Sequence, residues 1–104
     1  MKTSPTQRTL AELRKRGYLV AIVEKWNPHI RIRQDLWGLF DIIGIRGSET
    51  IVVQTTTASN MAARISKIAD SDKTPIIRGA GWKIVVHGWR KAAGRWVLRE
   101  VDCS

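Results

Sequence analysis

Two apolar, β-branched runs, at roughly residues 38–46 and 49–56, flank the loop Arg46-Gly47-Ser48-Glu49 in LFDIIGIRGSETIVVQTTTASN. No other stretch restricts the fold so tightly. Gly-Ser is a suitable two-residue hairpin turn, with glycine at the position that needs φ > 0. Such a turn pairs Arg46 with Glu49, and the register then sets Ile45 against Thr50, Ile43 against Val52 and Asp41 against Gln54. Opposed residues of an antiparallel pair share a face, with Cβ atoms ~4.5–5.5 Å apart. Thr56 falls on that face too, because strand side chains alternate. A carboxylate beside a carboxamide in apolar surroundings is costly unless both are satisfied. Two arrangements satisfy them. One is a divalent cation such as Mg²⁺, which takes one or two protein carboxylates together with waters and substrate phosphates. The other is a buried Asp41 that accepts hydrogen bonds from backbone amides and from Gln54.

The remaining segments supply partners for this hairpin. TQRTLAELRKR (6–16) reads as a helix with Leu10 and Leu13 on one face and Gly17 as its stop. YLVAIVEKW (18–26) reads as a strand, and NPHIRIRQD (27–35) as a loop or ragged strand punctuated by Pro28. ASNMAARISKIAD (58–70) places Met61, Ile65 and Ile68 on one helical face, with Ser59 or Asn60 available as cap. A loop over 71–81, holding a helical turn around IIRGA, leads to closing strands at 82–90 and 95–101 joined by Lys91-Ala92-Ala93-Gly94. The order α-β-β-β-α-β-β predicts an α/β sandwich with a mixed sheet.

With 104 residues, 43% of them apolar, the chain is expected to be one domain, 1–104, with one modest core. No apolar run approaches the ~20 residues that span a bilayer, and no apolar signal-peptide core follows the basic, polar N-terminus. No membrane association and a cytoplasmic location are therefore the expectations. One cysteine, Cys103, rules out an intramolecular disulfide framework, and two distant histidines, His29 and His87, supply a histidine metal site or a Ser-His-Asp hydrolase poorly. The 18 Lys and Arg against 9 Asp and Glu give a net charge of +9 spread along the chain. Such a surface suits a polyanion, with nucleic acid first, although solubility alone also accounts for surface charge.

Asp41 in LWGLFDIIGI, Gln54 in IVVQTTT and Glu12 in AELRKRG, in this order of elements, resemble the PD-(D/E)XK nuclease superfamily. The likeness is greatest to its small archaeal-type Holliday-junction resolvases and covers roughly residues 5–70. It implies a restriction-endonuclease-like fold and a Mg²⁺- or Mn²⁺-dependent endonuclease that hydrolyses DNA phosphodiester bonds, on branched DNA in that branch of the family. It further implies Asp41 as principal metal ligand, the side-chain carbonyl of Gln54 and the backbone carbonyl of Thr55 as further ligands, and Glu12 acting through water. A homodimer is also implied, because such resolvases cut two strands from a symmetric pair of sites. The family lysine falls at position 56, where this chain has Thr56. The alternative reading is therefore a catalytically weakened or inactive nuclease-fold module that binds DNA. Arg64 or Lys67, on the helix that follows, can bring a positive charge to the space of the missing lysine.

Further cations suit phosphate contact: Lys25, Arg31 and Arg33 around the WNP loop, and Arg90 and Lys91 in HGWRKAAGRW. Each reads equally as a solvated surface charge. Asp35 suits a supplementary metal ligand or a plain turn acid. Trp89 and Trp96 can stack on nucleic acid or finish the core across the closing hairpin, and the core is favoured for at least one of them.

Overall fold

The computed structural model describes residues 4–104, apart from the side chain of Arg33. Helix α1 (Pro5–Lys15) begins where Ser4 Oγ accepts the Gln7 N–H at 3.2 Å and Pro5 takes a first-turn position. It buries Thr9, Leu10 and Leu13, and it ends at Gly17, whose φ of 92° only glycine adopts cheaply. Strand β1 (Leu19–Ile22) follows, then β2 (Lys25–Asn27), β3 (Ile32–Gln34), β4 (Ile42–Arg46) and β5 (Glu49–Thr57). A 3₁₀ turn (Ala58–Asn60) leads into α2 (Met61–Asp70) and the short α3 (Thr74–Gly79). Strands β6 (Lys83–Ala92) and β7 (Arg95–Asp102) close the chain.

Five strands make one mixed sheet in the order β1-β4-β5-β6-β7. All neighbours are antiparallel except β5 and β6, which run parallel across the α2–α3 connection. Strand β5 is central, and Ile51 to Thr56 are all buried. Its alternating residues divide the core in two. Ile51 and Val53, with Val85, pack against Leu10 and Leu13 of α1, whereas Val52, with Ile84 and Val86, packs against Met61, Ile68 and Ile77 of α2 and α3. The helices therefore cover opposite faces. At ~25 cal/mol per Å² of apolar area, burial on both faces is what holds so small a sheet. Gly88 permits the closest approach: a Cβ there would lie 2.1 Å from Met61 Sδ. Among the described residues no helix is long and apolar enough to cross a membrane.

The β4–β5 register is as the turn predicts, from Arg46↔Glu49 to Ile42↔Val53, with Gly47 at φ 59°. The segment 18–35 differs from expectation. The expected strand breaks at Val23–Glu24, and its second half pairs with 32–34 as a separate hairpin, β2–β3, in place of a loop. The break follows from hydrogen bonding: the Val23 N–H goes to the Asp41 carbonyl at 2.9 Å, so the chain leaves β4 where β4 itself begins. Strand β4 starts at Ile42 because Leu36 to Phe40 form a tight turn, with Leu36 bridging Phe40. The loop over 71–81 contains a true helix, α3. The last hairpin is tighter than a four-residue connection, with Ala93 (φ 50°) and Gly94 (φ 76°) as a two-residue turn.

Candidate functional site

Where β4 begins and β5 nears its end, the ladder brings Asp41 and Gln54 together as counted. Gln54 Nε2 donates to Asp41 Oδ2 at 3.0 Å. The same oxygen accepts the Thr55 backbone N–H at 2.9 Å and the Thr55 hydroxyl at 3.0 Å. Thr55 Oγ1 is in turn 3.0 Å from Thr6 Oγ1, which ties the first turn of α1 to the site. Gln54 Nε2 also donates to the Thr55 carbonyl at 3.2 Å. The amide nitrogen thus bridges the two oxygens, Asp41 Oδ2 and Thr55 O, that the family resemblance implies as metal ligands.

Two further carboxylates join Asp41. Oxygens of Glu24, Asp35 and Asp41 all lie within 4.8 Å of one another. Their meeting has a local cause: Glu24 immediately precedes β2 and Asp35 immediately follows β3. The register that pairs Lys25 with Gln34 sets 24 opposite 35 one step beyond the ladder. The β2–β3 hairpin therefore stands on a pair of acids, and the Leu36–Phe40 turn returns the chain to the third. Asp35 is pushed up to about 6 by its burial, by the charge of Asp41, by a hydrogen bond with Asp41 and by the charge of Glu24, with Lys67 pulling it down. Burial first, and then the charge of its neighbours, favours the protonated form of this carboxyl.

Pro5, Thr6, Glu24, Asp35, Asp41, Gln54, Thr55 and Arg64 line a cavity of about 280 Å³. Arg64, on α2, is the cation at its wall, and the pull on Asp35 places Lys67, one helical turn further, within electrostatic reach. Thr56 is buried and lies beyond the residues that line the cavity. Hard oxygen donors in this number suit Mg²⁺ or Mn²⁺. A cation would offset the repulsion among the three carboxylates, so the residues present fit such an ion.

The other expected site residues lie elsewhere. Glu12 is on α1 six residues beyond Thr6, roughly 9 Å along the axis, and pairs with Arg16 at 2.9 Å. It lines a separate cleft with Arg8, Ala11, Lys15, Trp89 and Trp96. Only the N-terminal turn of α1 reaches the acids, because the body of that helix covers the other face of the sheet. Lys25 and Arg31 are exposed on the β2–β3 hairpin, Arg31 at φ 53°, and the Arg33 side chain lies outside the described residues. Arg90 and Lys91 are exposed at the end of β6, past the last pair with β5, at the sheet end that also holds Thr55. Lys91 Nζ is 5.9 Å from the Trp96 ring.

Trp89 is the core member of the closing pair, and Trp96 remains exposed beneath Arg8, 3.4 Å from its ring centre. His87, fully buried under α1, is a structural hub. Trp89 Nε1 can only donate, and it does so to Thr9 Oγ1 at 2.9 Å. The Thr9 hydroxyl proton is then free for His87 Nδ1 at 3.2 Å, which leaves the ring proton on Nε2 facing Glu100 at 2.7 Å. Arg16 closes the chain on Glu100 at 2.7 Å. Burial pulls His87 below its ordinary range against the opposing pull of Glu100. Burial works against the Glu100 carboxylate, but hydrogen bonds from His87 and Arg16 outweigh it and hold that group low.

Sequence reasoning missed Glu24. Its signal was the one available for Asp41: a single carboxylate inside an apolar run, YLVAIVEKW. Comparison with protein-family models, with curated proteins and with solved structures gives no match for this chain.

Proposed function

We propose that the chain is a metal-dependent endonuclease acting on DNA, with a restriction-endonuclease-like arrangement of the kind its sequence resembles. The observation that carries this reading is the meeting of Glu24, Asp35 and Asp41 within 4.8 Å at the end of the β4–β5 ladder, beside the Thr55 carbonyl and under Arg64. The order of the five strands, with one parallel pair across α2, is compatible with that fold. Asp41 is the principal ligand, Glu24 and Asp35 the supplementary ones, and the Thr55 carbonyl the backbone donor. Rotation of the Gln54 amide by half a turn exchanges its nitrogen for Oε1 and supplies one more oxygen. A bound Mg²⁺ or Mn²⁺ supplies the charge that stabilises a phosphoryl oxygen and lowers the pKa of a coordinated water. Arg64 and Lys67 neutralise the phosphate from the helix side, in place of the lysine absent at Thr56. Exposed Lys25, Arg31, Arg90 and Lys91 extend a positive surface for the backbone.

The test is cleavage of labelled four-way junction, linear duplex and single-stranded DNA with Mg²⁺ or Mn²⁺, wild type beside Asp41→Ala. Metal-dependent cutting by the wild type alone supports the reading and identifies the substrate shape. A second reading, a DNA-binding module without catalysis, is favoured by one observation: three internal donors already satisfy Asp41 Oδ2. Tight DNA binding with no cutting under either metal would select it.

A further inference from the structure

The turn that joins Asp35 to Asp41 carries Trp37 at its tip, and the backbone there is unusual. Trp37 has φ 56°, in the left-handed region that suits glycine, asparagine or aspartate. A bulky residue held there is strained and persists only where the surroundings impose it. Here it holds an indole against a cleft. The Trp37 ring centre is 5.9 Å from that of Trp82, with the planes inclined at 38°, and Trp37 remains 44% exposed. Lys73, Ile76, Ile77 and Ala80, in and beside α3, line the cleft with the two indoles. The cleft measures about 240 Å³, some eight times the ~30 Å³ share of one water in the liquid. Its walls are almost wholly apolar, so a ligand there is held by stacking and by burial of a flat face.

The position of the cleft selects among flat ligands. Trp37 follows Asp35 by two residues, so their Cα atoms are at most about 7.6 Å apart. Arg64 lines the acid cavity, Lys67 acts on Asp35 and Lys73 lines the cleft, so cations accompany the chain from one to the other. The exposed Lys73–Asp72 pair, at 3.6 Å, is too weak to withhold that lysine from a phosphate. We propose that the Trp37–Trp82 cleft stacks an unpaired nucleobase of the strand whose phosphate lies at the Asp41 centre. This rests on the nucleic-acid reading above and narrows its substrate class to DNA with unpaired nucleotides beside the reacting phosphate. A base within a continuous duplex keeps both faces stacked and cannot enter. Walls so largely apolar favour stacking over hydrogen-bond readout, which makes the cleft tolerant of base identity.

The experiment uses the full chain with Ca²⁺ in place of Mg²⁺, so that a cation screens the three acids, and a gel of the same samples confirms that the DNA is uncut. Oligonucleotides carrying 2-aminopurine are compared as a single strand, as a duplex with an unpaired flap and as a fully paired duplex. Trp37→Gly removes the ring and adopts φ 56° without strain, so folding is preserved; Trp37→Phe keeps a stacking face. The expected result is quenching of 2-aminopurine by the wild type and by Trp37→Phe, with binding to the single strand and the flap roughly tenfold weaker in Trp37→Gly. Fully paired duplex should bind to wild type and Trp37→Gly within twofold. Equal affinity of wild type and Trp37→Gly for all three DNAs would overturn the proposal and leave the cleft to a protein side chain. An equal loss on all three, or no DNA binding by the wild type, would overturn it as well. If the wild type cuts no DNA with metal while quenching still depends on Trp37, the base cleft stands and the nuclease reading falls. If it cuts and Trp37→Gly changes nothing, the reverse holds.

Discussion

Gln54 Nε2 sits between Asp41 Oδ2 at 3.0 Å and Thr55 O at 3.2 Å, with its two N–H bonds aimed at two acceptors. An amide in that place does with a partial positive charge what a cation does with a full one, so the two compete for the same oxygens. The cluster also frustrates Asp35, whose folded pKa of about 6 lies above its ordinary 3.8. The sign follows from linkage: the protonated form is favoured by folding, so its contribution is complete below pH 3.8 and is lost as pH rises through about 6. With a chelator present, the melting temperature should fall over that interval in the wild type and less in Asp35→Asn. Mg²⁺ should restore it near neutral pH in the wild type alone. Equal melting curves with and without Mg²⁺ in both proteins would contradict the assignment of Asp35. Arg64 is the cation at the wall of the cavity, so Arg64→Ala should lower the cleavage rate by roughly 10²–10³. The dissociation constant for DNA should change far less, and single-turnover kinetics beside a binding titration would separate the two.

Elements decide which residues meet, and they explain what could be read from the sequence. A two-residue turn fixes a register, so Asp41 beside Gln54 was legible from counting alone, and the helices covering 58–70 and 6–16 followed from apolar periodicity. Pro28 disguised the β2–β3 hairpin as a loop. Without its register nothing in the sequence placed Glu24 beside Asp35. Glu12 looked suited to the site because helix and strand were both correct, yet spacing along a chain does not say which face of a sheet a helix covers. Two predictions belong here. Gly88→Ala forces a Cβ into Met61 and should cost about 1–3 kcal/mol of stability, read from denaturant midpoints. His87→Ala leaves a cavity beneath α1 and takes one partner each from Thr9 and Glu100, which keep Trp89 and Arg16, and should cost about 2–3 kcal/mol, while Mg²⁺ affinity on the other face stays unchanged. Because folding lowers the His87 pKa, its contribution is complete above the ordinary 6.5 and is lost as pH falls below that value. The wild type should therefore lose stability there and His87→Ala should not.

At the scale of the whole molecule the charge of +9 and the acidic cavity pull in opposite directions. A basic surface gathers a polyanion, and three carboxylates at one point of it repel that polyanion unless a cation stands between. DNA affinity should therefore fall linearly with salt on logarithmic axes. Alanine at Lys25 or Lys91 should each lower the slope by about one, as backbone contacts do, and an unchanged slope in both would remove them from the interface. The most direct test of a cation site built on Asp41 is a calorimetric titration of Mn²⁺ into wild type and Asp41→Asn, the variant being of equal size and able to keep the hydrogen bond from the Thr55 N–H. Binding by the wild type that is lost or much weakened in Asp41→Asn, with both proteins folded by thermal melt, is the predicted result. No Mn²⁺ binding by the folded wild type, or equal binding by both, would contradict it and leave Asp41 as the hydrogen-bonded end of a ladder.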